Sequence, residues 1–369
     1  MLGKVALAIC AIIFTVFAIA ATVVLSLISL YIPNQSVASI SAYQTCLTVA
    51  SKFATTISGP VANITATTGV TVTCSQLTSS SCPGSLVNGI CTWQRKLAVT
   101  CINGSTVRIR VQSNALPGRC ASVPPTTFLK EQNIDFEVNF NPTVNVNSQT
   151  HSPTTQSALD DIVCSITNQQ YAPSGSNLTS YSSVASLGTV AGMSIDNVPI
   201  LNVNSAVDVD PFYPPAGYAV ETVDTCLAHP QTNGVYHYHM ASGCAVSPPT
   251  GNLSSCTTTP ACSSDIAGYA LSTFPSSAKK LTVIGIAKDG HVIYEPYLAS
   301  GNIVTSGIDI CNGMFYDSIG NYAYFATTKY PYVTGCFGPG NYPSFGPSCT
   351  TNGQSSYTMS VHAAAQANG

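Results

Sequence analysis

Charged side chains are scarce in this sequence of 369 residues. Aspartate, glutamate, lysine and arginine make up only 7% of it, whereas ordinary soluble proteins contain about 25%. Twelve basic and 15 acidic residues give a formal net charge of −3. So few basic residues cannot neutralise a phosphate backbone, which argues against a nucleic-acid partner. Intrinsic disorder is also disfavoured, because 45% of the residues are hydrophobic and the charge is low.

Several short motifs of enzymes and metal proteins are missing as well. The chain has no phosphate-binding P-loop, no G-x-S-x-G nucleophile elbow, no H-E-x-x-H motif and no C-x-x-C pair. These absences argue against the nucleotide-binding, hydrolase, zinc-ribbon and thioredoxin-like classes that carry them. A Ser–His–Asp triad can be assembled from residues far apart in sequence. The sequence therefore leaves open whether the protein is an enzyme.

The N-terminal segment indicates the compartment. No residue from Val5 to Ile32 is charged, and a membrane-spanning helix needs roughly 20 mostly apolar residues. Because Lys4 is the only charge before this run, the positive-inside rule places the N-terminus in the cytoplasm. We predict a transmembrane signal-anchor at residues 1–33, with a long signal peptide cleaved near residues 18–21 as the alternative. The remaining chain is then either the C-terminal ectodomain of a single-pass cell-surface protein or secreted.

Cysteine is abundant. Of the 15 cysteines, Cys10 lies within the apolar run and the others follow it. The even number that remains, fourteen, predicts up to seven disulfides in an exported chain, with a pairing that the sequence does not reveal. Four of them bracket the two repeated segments described below: Cys226, Cys244, Cys311 and Cys336.

Asparagine-linked glycosylation sequons are also present. Each has serine or threonine two positions after the asparagine, which is the acceptor pattern of exported proteins. The sequence therefore predicts a glycoprotein with candidate sites at Asn34, Asn63, Asn103, Asn177 and Asn252.

Short strand patterns dominate the rest of the chain. Two apolar runs, Leu97–Ile102 and Thr106–Val111, flank Asn103-Gly104, and an Asn-Gly pair in that position indicates a β-hairpin. Apolar residues alternate again from Ile134 to Phe140, as they do on a half-buried strand. No long amphipathic helix pattern occurs. The expected fold is a mainly β, disulfide-rich extracellular domain preceded by the transmembrane helix.

Composition suggests boundaries within this ectodomain. Residues 34–94 are rich in Cys, Ser and Thr and are predicted to form a stalk or a small separate region. Residues 95–345 carry the strand patterns and are predicted to form the main β domain. Residues 346–369 are predicted to be a flexible tail.

The main domain contains an internal repeat. The segment Asp224–Cys244 and the segment Asp309–Cys336 share the order Asp-x-Cys, Gly, Tyr-x-Tyr and Gly-Cys. This order predicts two duplicated β units, at about residues 190–250 and 283–340, packed as a pseudo-symmetric pair. The second copy lacks the histidines of the first, because Met314, Ala323 and Phe325 stand where His229, His237 and His239 occur.

These three histidines form a candidate metal site. His237 and His239 are two positions apart, so on a strand their side chains point to the same face. His229 can return to that face through the turn before the strand, and Asp224 is the nearest carboxylate that has a counterpart in the second copy. Such a set predicts one transition-metal ion, zinc or copper. The alternatives are histidines that only pack to stabilise the hairpin, and a catalytic general base.

The same region resembles the YHYH-domain proteins. The motif itself is Tyr236–His239, and the segments that accompany it are Asp224–Cys226, Asp309–Gly313, Lys329–Tyr332, Gly335–Gly338 and Gln112–Pro117. That family is mainly of unknown function and occurs in secreted or surface proteins, so the resemblance implies fold and location more than chemistry. The family tends to carry a histidine where Gly118-Arg119 stand here, and often histidines in the second Tyr-x-Tyr block.

Three functions remain compatible with these observations. One is a surface binding module that holds one zinc or copper ion and contacts the membrane through its N-terminal helix. The second is a structural matrix, coat or filament glycoprotein in which YHYH is a packing motif, with glycan, matrix or self-association as its partner. The third is a metal-dependent extracellular enzyme, which needs an open coordination position.

Overall fold

The computed structural model describes residues 42–124, 126–145, 151–169, 189–231 and 233–367. The anchor predicted at residues 1–33 and the sequons Asn34 and Asn177 lie outside these ranges. Within them, no helix is both long enough and apolar enough to cross a bilayer. Membrane anchoring therefore stays a prediction.

The described chain is mainly β. The strands are β1 (Val70–Cys74), β2 (Ser85–Val87), β3 (Ile90–Arg95), β4 (Leu97–Ile102), β5 (Arg108–Ser113), β6 (Ile134–Asn139), β7 (Val190–Ser194), β8 (Pro199–Leu201), β9 (Ala228–Pro230), β10 (Tyr236–Tyr238), β11 (Val283–Ala287), β12 (Val292–Tyr294), β13 (Gly313–Phe315) and β14 (Tyr322–Phe325). The helices are short: α1 (residues 42–50), α2 (Gln156–Val163), α3 (Ile166–Gln169), α4 (Pro260–Ser264), α5 (Ile266–Ser272) and α6 (Val361–Ala367). The mainly β prediction is confirmed.

Two three-stranded sheets precede the central one. In the first, β3 lies between β1 and β2, and in the second, β5 lies between β4 and β6. The hairpin predicted around Asn103-Gly104 is the antiparallel β4–β5 pair, in which Leu97 lies opposite Ser113. Ile109 of β5 is buried, whereas Arg110 on the other face bonds both carboxylate oxygens of Asp135, at 2.9 and 2.7 Å. The alternation of apolar and charged residues along β5 therefore determines which face of the strand is buried.

An eight-stranded sheet forms the centre, in the order β13-β14-β12-β11-β7-β8-β10-β9. From the antiparallel β7–β11 pair outward, each half has the same connections. An antiparallel hairpin comes first, then a parallel pairing (β8–β10 or β12–β14), then an antiparallel edge strand (β9 or β13). The two predicted repeat units therefore occupy matching positions. Their origin by duplication stays a prediction.

The repeated Asp-x-Cys and Tyr-x-Tyr motifs make the same contacts in both halves. Asp224 accepts a hydrogen bond from the Tyr236 hydroxyl at 2.6 Å and from the Cys226 amide at 2.8 Å. Asp309 accepts one from the Tyr322 hydroxyl at 2.7 Å, and another from the Cys311 amide. A buried carboxylate with several donors holds the turn before each edge strand.

The second tyrosine of each motif also reaches a buried aspartate, and a different side chain pairs with that aspartate in each half. Tyr238 donates to Asp196 at 2.9 Å, and Arg119 forms an ion pair with the same carboxylate. In the other half, Tyr324 and His291 both bond Asp289, at 2.6 and 2.9 Å. Arg119 comes from a distant part of the chain, whereas His291 is two residues from its aspartate.

Seven disulfides use all fourteen cysteines that follow Cys10. Cys46–Cys101 and Cys74–Cys120 join the predicted stalk region to the residues that follow it. Within the predicted tail, Cys349 is bonded to Cys164, and α6 begins at residue 361. A disulfide count this high is typical of secreted and extracellular proteins.

Candidate metal centre

The edge hairpin β9–β10 carries the histidines. Its antiparallel register places His229 directly opposite His237. The turn between the strands contains Gly234 at φ +83°, where an added Cβ would lie 2.6 Å from the Lys130 Cβ. Glycine adopts this left-handed conformation without a steric penalty. Pro230, which has no amide hydrogen, is tolerated because β9 is an edge strand.

The hairpin brings the three imidazoles together. Ring centroids are 4.5 Å apart for His229 and His237, 4.6 Å for His237 and His239, and 5.4 Å for His229 and His239. One ring nitrogen from each lies within 4.8 Å of the others. His237 and His239 are buried, at 0% and 2% exposure, whereas the side chain of His229 is 16% exposed. The predicted histidine cluster is therefore present, with one accessible edge.

Backbone carbonyls determine how two of these rings are oriented. His237 Nδ1 lies 2.9 Å from the Val235 carbonyl oxygen, and His239 Nδ1 lies 2.9 Å from the Asn202 carbonyl oxygen. A carbonyl only accepts hydrogen bonds, so each Nδ1 carries a hydrogen and donates. In the neutral rings, both Nε2 atoms then carry lone pairs. Metal-ligating histidines are usually oriented by such a bond from the other ring nitrogen.

The two Nε2 atoms of His237 and His239 are only 2.9 Å apart. Two lone pairs at that distance repel each other unless a proton or a metal ion lies between them or beside them. Burial, and then the neighbouring His229 and His239, hold the pKa of His237 well below its usual value. A proton on the His237 ring is therefore disfavoured, because its burial opposes a positive charge.

Glu221 is the fourth group of the cluster. Its Oε2 lies 3.0 Å from His229 Nε2 and 3.2 Å from His239 Nε2. Burial by itself would raise the pKa of this carboxyl, but His239 and His229 hold it well below its usual range. Glu221 Oε2 and His229 Nε2 are both buried, and their 3.0 Å contact is a hydrogen bond when His229 carries its hydrogen on Nε2. When that nitrogen carries a lone pair instead, both atoms are free to bind a metal ion.

Sequence reasoning did not assign Glu221 to the site. It precedes His229 by eight positions and lies on no strand. Its amide donates to the Pro211 carbonyl oxygen at 2.8 Å, which closes a loop before the hairpin. The one available signal was composition, since Glu221 and Asp224 are the only acids between residues 211 and 239.

The structure does not bring Asp224 to the histidines. Its two carboxylate oxygens accept hydrogen bonds from the Tyr236 hydroxyl and from the Cys226 and Ala228 amides. Tyr236 is adjacent to His237 on β10, so its side chain points to the opposite face of the sheet. Asp224 therefore supports the hairpin from the opposite face. Its predicted position beside the histidines is occupied by Glu221 instead.

The matching positions in the second half are apolar. Met314 and Ala323 lie opposite each other on β13 and β14, as His229 and His237 do on β9 and β10. The predicted loss of the histidines from the second copy therefore removes the whole set of nitrogen donors. Among the described residues of the two half-sheets, the three-histidine cluster therefore occurs in the first half and not in the second.

The remaining candidate residues have clear positions. Cys226 is bonded to Cys244, and Cys311 to Cys336. A second cluster of His151 with Cys311 and Cys336 is not a metal site, because both sulfurs are in a disulfide. The exposed sequon asparagines are Asn63, Asn103 and Asn252. Their glycosylation stays a prediction.

A known family covers this part of the chain. Residues 169–303 match the family model described as YHYH protein. The chain carries a YHYH domain. The match confirms the predicted resemblance over strands β7 to β12 and includes the whole histidine cluster, while β13 and β14 lie beyond it. No curated protein and no solved structure matches the chain.

The geometry of the YHYH domain suits a transition-metal ion. Three imidazole nitrogens and one carboxylate oxygen converge, and this donor set is one that zinc and copper both accept. Because Glu221 and His229 are partly exposed, with side chains 19% and 16% accessible, solvent reaches one edge of the cluster. An exchangeable water or another small ligand could complete the coordination there.

Proposed function

We propose that the YHYH domain binds one transition-metal ion, zinc or copper, through His229, His237, His239 and Glu221. The observation that carries this proposal is the 2.9 Å separation of two Nε2 atoms whose Nδ1 partners are both engaged by carbonyls. A metal ion bound by both lone pairs would replace this repulsion with two bonds. Glu221 Oε2 and His229 Nε2, which lie 3.0 Å apart beside these nitrogens, would supply the other two ligands.

We further propose that this domain works outside the cell as a surface binding module. Seven disulfides support an extracellular location, since they persist in oxidising compartments. The proposal includes the anchor at residues 1–33, the glycans at the sequons, and an origin of the two half-sheets by duplication. Their matching hydrogen bonds at Asp224 and Asp309 support the duplication.

The test is the metal content of the full-length protein, purified without an affinity tag. We expect about one zinc or copper per chain, measured by plasma mass spectrometry after dialysis against each ion in turn. His237→Ala/His239→Ala should lose it. His362→Ala is the matched control, because His362 lies on α6, outside the cluster, and it should retain the metal.

Metal-free wild-type protein after these dialyses would refute the proposal. The histidines would then act as a packing motif, which is what a structural matrix or filament protein requires. Light scattering discriminates further, since a filament subunit should assemble without added metal, whereas a binding module should stay discrete. An enzyme would in addition show a metal-dependent activity that Glu221→Gln diminishes.

A further inference from the structure

The second half-sheet has a cavity on the face that corresponds to the histidine face. Its volume is about 430 Å³, and its walls include Val292 and Tyr294 of β12. These residues share one buried cluster with Ala323 and Phe325, which stand in the positions of His237 and His239. The Tyr294 and Phe325 rings are 5.5 Å apart. Apolar residues, of which Phe325 is aromatic, therefore replace the metal donors in this half.

Two tyrosines form the aromatic wall of this cavity. The rings of Tyr294 and Tyr316 are 5.4 Å apart with an interplanar angle of 62°, and their hydroxyls are 3.4 Å apart. Tyr316 is partly exposed, so one ring is accessible from solvent. Burial raises the pKa of both hydroxyls, which keeps them neutral and able to donate.

The rest of the lining combines apolar side chains with amides and hydroxyls. Asn141 donates to the Asn321 side-chain oxygen at 2.9 Å, and Thr143 is exposed beside them. Among the described residues that line the cavity, none is charged. An anionic ligand would lose its hydration there without gaining a counter-charge. The cavity is also within the roughly 300–1,000 Å³ range of small-ligand sites.

We propose that this cavity binds a neutral sugar residue of a glycan. The apolar face of a pyranose ring can pack against the accessible Tyr316 ring, since aromatic side chains combine a large apolar surface with a polar hydroxyl. The hydroxyls of the sugar meet the amides of Asn141 and Asn321 and the hydroxyls of the two tyrosines. This site is separate from the metal centre and does not depend on it.

Saturation-transfer NMR on the full-length, enzymatically deglycosylated protein tests the proposal. The probes are glucose, galactose, mannose and N-acetylglucosamine, each at millimolar concentration. We expect transfer to at least one of them, and an affinity about three- to tenfold weaker in Tyr316→Ala, as loss of one aromatic contact predicts. Tyr218→Ala is the control, because Tyr218 is 50% exposed and does not line the cavity.

A second variant separates binding from folding. Thr143→Trp places a large ring at an exposed position on the rim, where it should abolish the transfer without altering the core. No transfer from any of the four sugars to the wild-type protein would overturn the proposal, as would transfer that survives Thr143→Trp. Displacement of the sugar by choline would overturn the assignment to a neutral ligand. Removing the metal ligands should leave the sugar signal unchanged.

Discussion

Two disulfides in matching positions provide a test with an internal control. Cys226–Cys244 closes the segment that contains all three histidines of the cluster, whereas Cys311–Cys336 closes the corresponding segment of the other half. We predict that Cys226→Ala/Cys244→Ala and Cys311→Ala/Cys336→Ala destabilise the protein by similar amounts. Only the first variant should also bind metal less tightly.

The magnitude follows from the lengths of the closed loops. The bonded cysteines are 18 and 25 residues apart. The chain-entropy relation for loop closure gives about 3.2 kcal/mol for the shorter loop and about 3.5 kcal/mol for the longer one. The difference between the two variants in free energy of unfolding should therefore be well below 1 kcal/mol. Urea unfolding followed by circular dichroism measures both values.

Metal affinity should separate the variants. Cys226 is buried just before β9 and Cys244 lies in the turn after β10, so their bond holds the two histidine-bearing strands in register. Without it, we expect zinc affinity to fall by tenfold or more in calorimetric titrations. Equal affinity losses in both variants would refute the reasoning, because the second disulfide touches no proposed ligand. Unchanged affinity in the first variant would refute it as well.

Further changes at the site and in the core have expected outcomes. Glu221→Gln should weaken zinc binding by about ten- to a hundredfold in calorimetry, and a loss below twofold would remove Glu221 from the ligand set. Metal should dissociate progressively as the pH falls, because protons compete with the metal for the imidazole nitrogens. Equilibrium dialysis across pH would detect this release, and binding that does not change with pH would contradict it. Burial raises the pKa of Glu295 to about 7, so its protonated form stabilises the fold at low pH and this stabilisation is lost as the pH rises towards 7. Glu295→Gln should remove up to about 2 kcal/mol of this pH-dependent change in the free energy of unfolding, with solvent screening allowed for. An unchanged pH dependence in urea unfolding would contradict this prediction. Arg119→Met leaves the buried Asp196 without its cation and should cost about 3–5 kcal/mol by the same assay; a neutral effect would contradict it.

Some features of the site follow from local rules. Side chains alternate along a strand because of covalent geometry, so His237 and His239 had to share a face once their segment was extended. The hairpin around Asn103-Gly104 was also predictable, because an Asn-Gly pair between two apolar runs is a frequent hairpin signal. The equivalence of the two Asp-x-Cys segments was also visible, because their order of residues repeats.

Other features depended on how the loops pack in three dimensions. Glu221 contacts His229 and His239 from a segment outside any strand, and no periodic pattern in the sequence records that contact. Asp224 turned to the opposite face because the Tyr236 hydroxyl and two amides satisfy it there. The pairing of the fourteen cysteines likewise required the three-dimensional arrangement, since spacing alone allows many connectivities.

The difference between the features that the sequence predicted and those that only the fold revealed has a physical cause. Backbone geometry and side-chain polarity act over a few residues, so the amino-acid order was enough to establish a β-rich, disulfide-bonded chain with three histidines on one strand pair. Which donors meet at one point depends on how separate segments pack, and that is set by the whole core. The 2.9 Å approach of His237 and His239, together with the carboxylate of Glu221 beside them, exists only in the folded protein.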